Sequence, residues 1–177
     1  MRYGRSRAQE LGRLRARFRA VSALEHGGKP ATRLAVDLSE LRERTCLKLG
    51  RLNSCSACAQ GHAPPQGRWA GGRCCGARTL GLFSQDEVAA LWLAGIRPRD
   101  LRPPLTEHAG CAFRGSEGCS LEPRQRPTIC VRYLCVEVRE EVRQRGDWTT
   151  IALLARSMTE LFGELCALRS SGATLQA

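Results

Sequence analysis

Residues 130–168, CVRYLCVEVREEVRQRGDWTTIALLARSMTELFGELCAL, carry both characters of this chain: a cysteine pair, then two helical repeats. Val131, Leu134, Cys135, Val138 and Val142 fall on one helical face, which Gly146 closes. Asp147 is placed to cap the next helix. There Ile151, Leu154, Met158, Leu161, Leu165 and Leu168 keep near-heptad spacing, one apolar stripe over five turns. Residues 170–177 read as a frayed tail.

The N-terminal part repeats the helical theme. From Ala8 to about His26, Leu11, Leu14, Phe18, Val21 and Leu24 recur at steps of three and four, and Gly27-Gly28 ends the pattern. Pro30 suits the first turn of a second helix, whose stripe is Leu34, Leu38, Leu41, Thr45 and Leu49, stopped by Gly50. A short glycine-containing link between two such helices predicts an antiparallel hairpin over 8–50. Residues 51–82 lose all periodicity. Ser84-Gln85-Asp86-Glu87 then has the form of a capping box and opens a short helix through Val88, Leu91, Trp92 and Ile96, ending near Gly95. In that setting Asp86 and Glu87 are first-turn acids rather than catalytic ones. Five prolines keep 97–129 irregular.

Ten cysteines are spread over the chain, and eight form an ordered array: Cys55-x-x-Cys58, Cys74-Cys75, Cys111, Cys119, Cys130 and Cys135. Cys-x-x-Cys lets two sulfurs approach one ion from a tight turn, and the glycines around Cys74-Cys75 allow backbone N–H groups to approach thiolate sulfur. Cys46 and Cys166 sit inside helical patterns and read as small buried residues. No uninterrupted apolar stretch of signal-peptide type opens the chain, and no run of about 18 apolar residues suggests a membrane span. The expected setting is therefore cytoplasmic and thiol-preserving, where such an array binds metal rather than forming disulfides.

The second half of the array, Cys111-Ala-Phe…Cys119…Arg126-Pro127-Thr-Ile-Cys130-Val-Arg-Tyr133-Leu-Cys135, resembles the YkgJ-type cysteine-cluster family. Those zinc- or iron-chelating proteins are named for a CxxCxxCC signature. The resemblance covers about residues 55–135. Two features depart from the family pattern: fifteen residues separate Cys58 from Cys74, and Val131 stands where arginine is common. The resemblance implies that Cys55, Cys58, Cys74, Cys75, Cys111, Cys119, Cys130 and Cys135 are the metal ligands. Eight thiolates suit two four-cysteine sites or one larger cluster. The single Cys-x-x-Cys knuckle and the vicinal pair lean toward an iron–sulfur cluster over zinc. Arg68, Arg73, Arg78, Arg126 and Arg132 could offset the thiolate charge, and His62 and His108 could substitute for a thiolate.

The net charge is +11, and 26 of the 28 cations are arginine. Residues 1–33 hold nine basic side chains against two acids. Such a helix can meet phosphate backbones, but no aromatic residues interleave with the arginines for stacking, so nucleic acid is the weaker reading. No phosphate-binding glycine motif, serine elbow or carboxylate pair is present, and an enzyme would have to work through its metal. The expectation is a mainly α protein of one domain, 1–177: a small helical bundle with an irregular cysteine-rich metal-binding segment at one end. The hairpin at 8–50, the cysteine segment at 51–135 and the C-terminal helices at 130–170 are its parts. Metal ions are the expected partners and a protein partner comes next. The rivals are a metal-dependent enzyme or its accessory subunit, and a zinc-stapled nucleic-acid or protein adaptor using Arg13, Arg15, Arg17 and Arg19.

Overall fold

The computed structural model describes residues 7–22, 28–55, 79–105, 111–115 and 118–174. The chain is mainly helical, as its periodicity predicts. Its elements are α1 (Arg7–Ser22), α2 (Gly28–Leu49), α3 (Thr79–Leu82), α4 (Gln85–Leu93), β1 (Arg114–Gly115), β2 (Gly118–Cys119), a 3-10 turn (Pro123–Gln125), α5 (Thr128–Arg132), α6 (Val136–Gln144) and α7 (Trp148–Thr174). The strands form one antiparallel pair with Arg114 opposite Cys119. Among the described residues no helix is long and apolar enough to cross a membrane.

Three apolar clusters hold the elements together. Leu14, Phe18 and Val21 of α1 pack with Phe83, Val88, Leu91, Phe113 and Leu121. Ala31, Ala35 and Leu38 of α2 pack with Ala90, Val131, Met158 and Leu165. Leu49 at the end of α2 packs with Val138, Val142 and Ile151. On α7 the buried residues Ile151, Met158 and Leu165 are spaced by sevens, the seam that the heptad pattern predicts. Burying each such side chain contributes about 1.5–3 kcal/mol.

Partners differ from the hairpin expectation. α2 packs mainly on α7, whereas α1 packs on α4 and α3. The small residues Ala31 and Ala35 explain the first choice, since they let α7 approach α2 closely. The basic character of α1 partly serves this packing: Arg17 Nη1 donates to the carbonyls of Leu80 (2.8 Å) and Phe83 (2.5 Å).

A second difference lies in the segment that opened the sequence reading. Instead of one helix from Cys130 to Gly146, α5 stops at Arg132 and α6 starts at Val136. Tyr133 adopts extended backbone (φ −83°, ψ 107°), its N–H still bonded to the Ile129 carbonyl, so the chain turns outward before helix resumes. Val131, Val138 and Val142 remain buried across the break, which is why periodicity alone conceals it. At the other end of the molecule α7 continues to Thr174, past the expected start of fraying.

Candidate metal centre

The break between α5 and α6 has a local consequence. Cys130 stays on α5, while Cys135 becomes the residue that precedes α6, with extended backbone (φ −65°, ψ 171°). Cys119 lies on β2 and Cys111 just ahead of β1, so the strand pair carries both toward the same region. Gly118 makes this turn possible: its φ is +112°, which side chains other than glycine's rarely adopt, and a Cβ there would meet Arg114 Nη1 at 3.7 Å. Cys55 closes a helical turn at 53–55, just beyond α2. These five cysteines line one cavity of about 470 Å³, together with Leu49, Val131, Leu134 and Val138. The cavity draws lining residues from all three apolar clusters.

Polar contacts fix its walls. The Glu141 carboxylate accepts from Asn53 N (2.9 Å), Ser54 N (2.9 Å) and Ser54 Oγ (2.7 Å), pinning the turn that carries Cys55 onto α6. Burial pushes this carboxyl up, but the Ser54 and Asn53 hydrogen bonds outweigh it and hold Glu141 below the usual glutamate range. From the opposite side, Arg114 Nη2 donates to the Cys55 carbonyl at 2.7 Å. Arg145 Nη1 donates to the Leu49 carbonyl (2.8 Å), closing the end of α2 where Gly50 turns at φ +59°.

Deeper lies a buried ion pair. Arg42 on α2 is 0% exposed, and its Nη2 donates to Glu87 Oε2 (2.6 Å) and Thr128 Oγ1 (2.7 Å). Glu87 Oε1 in turn accepts from Thr128 N at 2.8 Å. Burial dominates both partners, pushing the Glu87 carboxyl up and the Arg42 guanidinium down. The triad ties α2 and α4 to the start of α5, two residues before Cys130. Ser84 caps α4 as its sequence predicts, accepting from Glu87 N. The Glu87 carboxylate, however, serves the ion pair rather than the reciprocal half of a capping box.

Of the eight predicted ligands, the structure brings Cys55, Cys111, Cys119, Cys130 and Cys135 to one cavity. Cys58, Cys74 and Cys75 lie outside the described residues, as do His62, His108, Arg68, Arg73 and Arg78. Among the described residues no three His, Cys, Asp or Glu side chains are close enough to share an ion, and no disulfide joins two of them. The donors that line the cavity are thiols beside apolar side chains, the ligand type that zinc and iron–sulfur clusters favour. Burial in the first cluster pushes the Cys111 thiol up to about 11, so capture by an ion must displace its proton.

Two groups went unrecognised in the sequence. Cys46 lines the cavity with the other five thiols, and Arg126 Nη1 donates to its sulfur at 3.8 Å. Arg114 reaches the cavity wall as well. Arg132, expected near the thiolates, donates instead to Thr159 Oγ1 on α7 (3.4 Å). The chain matches no protein-family model, no curated protein and no solved structure.

Proposed function

We propose that this protein binds metal through a cysteine cluster, ligating an iron–sulfur cluster or zinc with Cys55, Cys58, Cys74, Cys75, Cys111, Cys119, Cys130 and Cys135. One observation carries the reading: five of these cysteines, spread over 80 residues of sequence, line a single cavity. The metal supplies Lewis acidity or electron storage when bound; the chain supplies the ligands, the arginines that balance their charge, and an apolar wall. A reducing compartment such as the cytoplasm suits thiols kept for ligation.

The role is structural and, with iron, redox. The cavity volume favours a second possibility, a metal-dependent enzyme or its accessory subunit, because 470 Å³ is in the range of small-molecule sites. The nucleic-acid reading loses one of its contacts, since Arg17 is committed to α3.

Anaerobic purification followed by elemental analysis and a visible spectrum tests the proposal. Iron–sulfur ligation gives a brown protein with stoichiometric iron and sulfide, and zinc ligation a colourless one. Cys58→Ser is expected to lower the metal content in either case. Protein free of both metals after reconstitution, or unchanged stoichiometry in Cys58→Ser, refutes it.

A further inference from the structure

The cavity has a second chemistry besides sulfur. Six of its lining side chains are aliphatic: Leu49, Leu52, Leu82, Val131, Leu134 and Val138. Every charged side chain in the lining is an arginine, namely Arg51, Arg114 and Arg126, and among the described residues no aspartate or glutamate joins them. Arg51 is exposed and Arg126 half-buried, whereas Arg114 is buried. Acids of the surrounding frame are committed elsewhere: Glu87 to Arg42, and Glu141 to Asn53 and Ser54. At about 470 Å³ the space falls within the size range of small-molecule sites, which are mostly apolar with a few placed polar groups.

Arg126 is the decisive group. The 3-10 turn before it is well fixed: Glu122 N donates to Gln125 Oε1 at 3.1 Å, Arg126 N donates to the Pro123 carbonyl at 3.3 Å, and the turn packs on α2. In the side chain, Nε donates to the Leu121 carbonyl (3.1 Å) and Nη1 to Cys46 Sγ (3.8 Å). Burial holds Cys46 as the neutral thiol, which is a weak acceptor. Among the described residues no carboxylate pairs with Arg126, whereas its neighbour Arg124 meets Glu43 at 2.6 Å and Arg145 meets Asp147 at 3.1 Å. A guanidinium offered one carbonyl and one thiol retains its capacity for charge-assisted bonds to an oxyanion. Arg114 adds a second positive charge from the strand pair, held by its bond to the Cys55 carbonyl at 2.7 Å.

We propose that this cavity binds an organic monoanion with an aliphatic body, a medium-chain carboxylate, whose head meets Arg126 and whose chain lies along the leucines and valines. The inference goes beyond metal binding and does not depend on it. The carboxylate gives Arg126 an ionised acceptor in place of a thiol. Neither half of the ligand suffices alone. A bare carboxylate gains little from an arginine that water still reaches, and a bare chain leaves the cation unmatched. Because the turn holds Arg126 in place beforehand, little freedom is lost on binding.

Isothermal titration calorimetry on the full chain as purified compares octanoate with octanol and with acetate. Octanoate should bind at least ~10-fold more tightly than octanol, the worth of one hydrogen bond to a charged group. Acetate, the head without the chain, should bind more weakly still. Arg126→Met should lose at least ~10-fold in octanoate affinity and leave octanol unchanged. Arg124→Met, on the same turn but outside the lining, should match wild type. Octanoate that fails to bind, binds no better than octanol or acetate, or binds Arg126→Met as it binds wild type overturns the proposal.

Should Arg126→Met fail to fold, wild type decides the matter. Saturating octanoate should slow the reaction of iodoacetamide with Cys46, the sulfur that Arg126 touches, and leave Cys166, outside the lining, unchanged. Equal rates at Cys46 with and without octanoate overturn the assignment. The two readings also fail separately. Octanoate binding by protein that takes up no metal sinks only the metal reading, and metal uptake without octanoate binding sinks only this one.

Discussion

Replacing Arg42 by methionine tests whether a buried charge orders this protein's cavity. The guanidinium makes two hydrogen bonds of 2.6 and 2.7 Å, and its loss leaves the Glu87 carboxylate buried without its counter-charge, held by neutral donors of Thr128 and Ile129. Breaking one side of a buried pair costs about 3–5 kcal/mol, because the remaining charge has no compensation. For a chain of this size that lowers Tm by roughly 6–20 °C, at about 2–4 °C per kcal/mol. The double variant Arg42→Met/Glu87→Met removes both charges. It should recover to within about 1–3 kcal/mol of wild type, the remainder being the Thr128 N–H that has lost its acceptor. Urea unfolding of metal-free protein, followed by far-ultraviolet circular dichroism, measures both. The reasoning fails if Arg42→Met costs less than about 1 kcal/mol, or if the double variant is no more stable than the single.

Glu141→Gln should loosen the Cys55 turn and cost roughly 1–2 kcal/mol at neutral pH, as loss of a capping carboxylate does. The folded carboxyl titrates below its ordinary value, so its stabilisation is complete above about 4.3 and disappears as pH falls through the folded value. The gap between wild type and Glu141→Gln in an acid series should accordingly narrow below about pH 4, and a constant gap would contradict the assignment. Gly118→Ala places a Cβ at φ +112° against Arg114; a cost of about 1–3 kcal/mol in urea unfolding, with weaker metal binding, is expected. An alanine variant of wild-type stability would show that the strand pair turns some other way.

The helices were legible because burial follows 3.6-residue periodicity, as in Ile151, Met158 and Leu165 on α7. The break at Tyr133–Cys135 was not, because the valines on its two sides happen to stay in phase. The partner of α1 was hidden for a different reason: an apolar stripe states that a face is covered, not which surface covers it. At the cavity, cysteine spacing singled out Cys55, Cys111, Cys119, Cys130 and Cys135, which the fold brings to one lining. Cys46 escaped because it lies one turn from Arg42 on the covered face of α2, where a cysteine looks like any small apolar residue. Glu87 looked like a cap until its partner, 45 residues earlier in sequence, was placed beside it. Such pairings depend on tertiary approach and leave no local trace.

The scattering of the cavity wall along the chain sets an order of events during synthesis. Its lining runs from Cys46 to Val138, and α2 meets its main packing surface, α7, only after residues 148–174 exist. Pairings this remote in sequence form late, after local helices. A nascent chain therefore exposes its first thiols well before it owns a vessel for them. On the metal-binding reading proposed above, loading belongs to the finished polypeptide.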